Sequence, residues 1–221
     1  MNRITKLPHR NPQRVSHFFI RLTAQIISYL FHPLFIPVYV SWFLIYVTPV
    51  FPVFDSWEKT KLMLRFLMMY TMFPLATVLL AKGLGFVSSI YLKTQKDRII
   101  PYVACGLYYF WMWYVLRNQP EFPREFVVLS LAIFIASSAG LFLNSFLKIS
   151  MHAIAVGVMS AFVMLLAFNL GENYGLYISI SLFITGLVCS ARLMSSDHHP
   201  LQIYLGLAVG VIAQLVAYWI E

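Results

Sequence analysis

Apolar residues fall in seven long runs along the chain, and the short stretches between them hold most of its charge and turn chemistry. Runs of about 20 residues match the length a helix needs to cross a bilayer. They predict helices over 23–47, 62–81, 99–116, 126–147, 151–168, 176–191 and 200–220. Thr48-Pro49 through Asp55, Asn118-Gln119-Pro120 through Pro123, and Gly171-Glu172-Asn173 read as connections. Only Lys148-Ile149-Ser150 separates the fourth run from the fifth, so six spans stand as the alternative to seven. The first run is too long for a signal-peptide core and no small-residue cleavage site follows it, which predicts a retained span. No internal repeat is visible.

Composition narrows the class. Of 221 residues, 60% are hydrophobic and 11% charged, against about 25% charged in an ordinary soluble domain. With a mean hydropathy of +0.76, disorder, a nucleic-acid-binding domain and a secreted disulfide scaffold are poor fits. The expected fold is an all-α polytopic membrane helix bundle with six or seven transmembrane helices. A basic N-terminal segment over 1–22, with Arg3, Lys6, Arg10, Arg14 and Arg21, precedes a single integral membrane domain over 23–221. Cys105 and Cys189 lie in apolar runs, where a free thiol behaves as a small hydrophobe, so no disulfide is expected. The expected setting is a multi-pass protein of a bacterial cytoplasmic (inner) membrane. The sequence is silent on oligomeric state.

The net charge of +8 is unevenly placed. Counting seven spans from the N-terminus puts Lys82, Lys93, Lys96, Arg98, Lys148 and Arg192 on the N-terminal side, with Asp97 and Asp197 as its only carboxylates. Such a bias is an orientation signal, but Lys93, Lys96, Arg98, Lys148 and Arg192 also share that side with His152, His198 and His199. The third, fifth and seventh predicted helices begin there, and helix N-termini favour anions. Ser150 is placed to cap the fifth helix and Pro200 suits the first turn of the seventh. Fixed cations, helix N-termini and two separated histidines fit phosphoryl chemistry, which needs charge stabilisation and in-line groups. Asp197-His198-His199 lacks the further carboxylate or cysteine that a metal set would need, so neither a metal nor another cofactor is expected. His9 and His17 read as solvated. His32, beside Pro33, is either a functional intramembrane group or a kink residue bonded to a freed carbonyl.

These residues resemble the motifs of the type-2 phosphatidic acid phosphatase family, including its members similar to glucose-6-phosphatase. Arg192, five residues, then His198, with Pro200 and Gly206 in register, follows the family's last motif within 190–206. Ala191 stands where that motif has Ser, and Gln202 where it has Asp. Ser150-Met151-His152, within 148–152, resembles its Pro-Ser-Gly-His motif. Residues 93–101, with Lys93, Arg98 and Pro101, resemble a shortened first motif in which Lys96 is the alternative counterpart of the lysine. The resemblance covers roughly residues 60–215, and only the last motif is specific.

The resemblance implies a metal-independent phosphatase or phosphotransferase acting on a membrane lipid phosphate. His198 would be the nucleophile, His152 the acid and base, and Gln202 the partner of the nucleophile, without the family's negative charge. Lys93 or Lys96, Arg98, Ser150 and Arg192 would bind phosphate. Two other readings are a catalytically silent relative that binds anionic headgroups or partners, and a small transporter suggested by His32, Pro33, Pro37 and Pro74.

Overall fold

The computed structural model of the chain describes residues 12–51, 54–89, 94–171, 174–195 and 199–221, with side chains from residue 19 onward. The described residues are helical throughout, with short turns between. We number the helices α1 (Pro12–Leu30), α2 (Ile36–Tyr46), α3 (Ser56–Gly83), α4 (Gln95–Arg117), α5 (Arg124–Asn144), α6 (Met151–Leu170), α7 (Gly175–Ser195) and α8 (Pro200–Ile220). The last six are long and apolar enough to cross a membrane. The chain is therefore an integral, multi-pass membrane protein.

Six of the seven predicted runs appear as these spans, and the fourth and fifth are separate helices. The first run is different. One helix over 23–47 is expected, but the chain breaks at 31–35 into α1 and α2. Pro33 and Pro37 explain the break, since each lacks an N–H and disfavours a helical residue before it. Hydropathy continues across the break, so the apolar pattern alone does not reveal it. Helix α1 also begins at Pro12, so the expected boundary at 22–23 falls inside a helix.

The two halves diverge. Helix α1 lies against α7, whereas α2 packs on α3 and α6. The break leaves carbonyls without helical donors, and other elements supply them. Tyr39 Oη donates to the Leu30 carbonyl (2.9 Å), and Thr71 Oγ1 donates to that of Leu34 (2.7 Å). Thr71 lies in a wide π-turn of α3, Met68–Met72, just before Pro74, whose ring and missing N–H prevent the regular ladder there.

Helices α5 and α6 form the interior, with 56% and 61% of an apolar 18-residue stretch of each buried, against 22% for the peripheral α7. Helix α8 packs along both. Its crossing with α6 is close because a Cβ at Gly157 would lie 2.5 Å from the Leu207 carbonyl oxygen. The two ends of the bundle differ in chemistry. Trp42, Trp57, Trp111 and Trp219 are exposed where α2, α4 and α8 end and α3 begins, as expected for an interfacial aromatic belt. At that tryptophan end, Trp113 Nε1 donates to Glu221 Oε1 (2.9 Å) and Arg124 Nη2 to the Tyr218 carbonyl (3.0 Å). The opposite end holds Lys82, Arg98, Lys148 and Arg192.

Candidate functional site

The cationic end is built from three helix starts. Thr94 caps α4: its hydroxyl accepts from Asp97 N–H (3.1 Å) and donates to Asp97 Oδ2 (2.8 Å). Ser88 donates to the same carboxylate through its backbone N–H (2.8 Å) and its hydroxyl (2.7 Å). This anchor fixes the first turn of α4, whose next residue, Arg98, points inward and is 6% exposed. Its Nη1 donates to the Ile149 carbonyl (2.9 Å). Gln95 and Asn144 exchange side-chain donors for each other's carbonyls at 2.8 and 2.9 Å, closing α4 onto the end of α5.

Ser150 follows, fully buried as the N-cap of α6, with its hydroxyl accepting from Ala153 N–H (3.4 Å). Its own N–H donates to the Gln202 carbonyl in the first turn of α8 (3.2 Å). Gly206 permits this approach, because a Cβ there would lie 2.9 Å from the Ser150 carbonyl oxygen. The N-termini of α4, α6 and α8 thus meet through short polar links, and their dipoles add to the positive field of Arg98 and Arg192.

His152 stands in the first turn of α6. Its Nε2 lies 3.0 Å from the Ser28 carbonyl oxygen. A carbonyl only accepts, so Nε2 carries the proton and Nδ1 has acceptor character in the neutral ring. Arg192 Nη1 reaches the Ser28 hydroxyl at 3.4 Å. His32 joins from the α1–α2 turn, with ring centroids 5.4 Å from His152 at 81°. Its Nδ1 accepts from Leu34 N–H (3.3 Å). His32 stands at the kink, and His152 is the ring that bonds a carbonyl freed at the end of α1.

The structure brings together five of the residues singled out from the sequence: Arg98, Ser150, His152, Arg192 and Gln202. Lys148 is half-buried just before α6, while Lys96 is exposed on the first turn of α4 without a hydrogen bond to this cluster. Lys93 and His198 lie outside the described residues. The Gln202 amide is occupied locally, since its Oε1 accepts from His199 N–H (3.2 Å) in a capping box that starts α8. Ser28, Asp97 and the Gln95–Asn144 pair are members of this end that the motifs do not reveal. Ser28 joins only through the fold, whereas Thr94-x-x-Asp97 is a capping signal open to reading. Among the described residues, no three His, Cys, Asp or Glu side chains group as metal ligands.

A recessed cluster of two arginines, helix N-termini and a histidine with acceptor character can bind an anion and exchange a proton with it. Comparison with family models, with curated proteins and with solved structures gives no match to this chain. The fold and the cluster define a multi-pass membrane protein with an anion-favouring end.

Proposed function

We propose that this protein is a metal-independent phosphatase or phosphotransferase of the type-2 phosphatidic acid phosphatase kind, acting on a lipid phosphate in a bacterial cytoplasmic membrane. The observation that carries the reading is the convergence of Arg98, Ser150, His152 and Arg192 from three helices at one end of the bundle. All four positions belong to the motif resemblance in the sequence, and Arg98 and Arg192 lie 94 positions apart along the chain.

In the proposed reaction a nitrogen of His198 attacks phosphorus and the bond to the leaving alcohol breaks. His152, entering the step as the imidazolium with protons on both nitrogens, gives that alcohol its Nδ1 proton. Water, deprotonated by His152, then attacks the phosphohistidine, releasing phosphate and restoring His198. With Nε2–H committed to Ser28, Nδ1 is the His152 nitrogen suited to this exchange. Arg98, Arg192 and Ser150, with Lys93 or Lys96, hold the phosphate oxygens.

One observation favours a second reading, a silent binder of anionic headgroups. Gln202, which replaces the family's aspartate, is engaged in capping α8 and brings no negative charge to a nucleophile. Both readings meet in one experiment on the full-length protein. Phosphate release from phosphatidate or a polyprenyl diphosphate is expected with EDTA present, abolished in His198→Ala and accelerated in Gln202→Asp. Binding without release, persisting in His198→Ala, selects the silent binder. Release that survives His198→Ala sinks the phosphohistidine mechanism.

A further inference from the structure

Directly beneath the cluster, a cavity of about 80 Å³ runs into the bundle between α2, α4, α5 and α6. Three of its lining residues neighbour the site along the chain. Pro33 follows His32, Met151 sits between Ser150 and His152, and Tyr102 is one turn beyond Arg98, and all three line it. Pro33 and Met151 are half-buried, whereas Ile36, Val40, Leu129 and Ile154 deeper in are buried. The lining is mostly apolar; its polar groups are the hydroxyls of Tyr102, Tyr109 and Ser137 and the Cys105 thiol, and Tyr102 stands apart from the others. Tyr102 is 4% exposed, and its hydroxyl has no hydrogen-bond partner among the described residues. Gly140 holds this ring in place: a Cβ there would lie 2.9 Å from Tyr102 Cε1 and 3.0 Å from its hydroxyl oxygen. A buried hydroxyl without a partner is costly, and an acceptor on a bound ligand would satisfy it.

We infer that this cavity receives one hydrocarbon chain of the phosphate-bearing substrate, and that Tyr102 is a specificity residue donating to the oxygen that joins chain to phosphate. The inference rests on the lipid-phosphate reading above and narrows it to single-chain substrates. Size decides the chain number. A cavity of roughly 150 Å³ accepts one benzene ring, so a space about half as large admits the end of one chain. Two acyl chains side by side do not fit. Single-chain prenyl or alkyl phosphates are thereby favoured over diacyl phosphatidate.

The test uses the full-length protein in nanodiscs, with isopentenyl, geranyl and farnesyl monophosphate and dioleoyl phosphatidate as probes. Binding, corrected for empty discs, is read by displacement of a farnesyl phosphate bearing a photoreactive chain end. Affinity is expected to rise by up to about fourfold per methylene buried, then level off once the cavity is full. Phosphatidate is expected to bind at least about tenfold more weakly than farnesyl phosphate, given the steric exclusion of its second chain. Tyr102→Phe keeps the ring and should weaken farnesyl phosphate about five- to tenfold. Ala136→Leu, which fills the cavity wall, should erase the gain with chain length and the photolabelling of α5 and α6. Equal binding of phosphatidate and farnesyl phosphate overturns the inference, as does unchanged affinity in both variants. Phosphate release is followed alongside. Chain discrimination without release overturns the phosphatase reading and leaves the cavity assignment standing, and release without discrimination does the reverse.

Discussion

The His152 ring donates from Nε2 to the Ser28 carbonyl, so its structural and its chemical duties fall on different nitrogens. His152→Gln separates them, because the amide can still donate to that carbonyl but cannot cycle a proton. We expect the thermal midpoint in detergent to stay within a few degrees while lipid-phosphate turnover falls by about 10²–10⁴.

Among the elements, the α1–α2 break depends on donors from elsewhere. Thr71→Val keeps the shape of the side chain but strands the Leu34 carbonyl, at an expected cost of about 1–3 kcal/mol, visible as a lower thermal midpoint in detergent. The spans themselves were largely legible. Uninterrupted hydropathy marks all six, and Pro200–Ile220 agrees at both ends because a proline opens it and the chain's last apolar residue closes it. The apolar pattern hides the break at 31–35 because Phe31, Leu34 and Phe35 keep the run apolar, whereas Pro33 marks a kink there and, with Pro37, stops the helix. Half the candidate site was legible for a similar reason. Arg98, Ser150, His152 and Arg192 carry charge, capping or proton chemistry in a recognisable spacing. Ser28 contributes a backbone carbonyl, which every residue has, and Tyr102 matters through a hydroxyl stranded by its neighbours. Neither role has a signature before the helices assemble.

For the whole molecule, the six spans fix which connections share a membrane face. Cysteines introduced at Leu84 and Phe146, which are 61% and 71% exposed at the cationic end, should be labelled by an impermeant reagent from one side. A cysteine at Asn118, exposed at the tryptophan end, should be labelled only from the other. Labelling of Leu84→Cys and Phe146→Cys from opposite faces would break the six-span arrangement. The native thiols interfere little, since Cys105 is buried and Cys189 partly so. The borrowed hydrogen bonds at the α1–α2 break also impose an order of biogenesis. Carbonyls of Leu34 and Ser28 leave the ribosome long before Thr71 and His152, the side chains that satisfy them. Until then they cannot rest in hydrocarbon without cost, so the N-terminal helices must wait at the membrane surface. The end that would handle phosphate is thus completed only after α6, α7 with Arg192 and the first turn of α8 are in place, and a nascent chain truncated before Met151 should leave α1 open to protease.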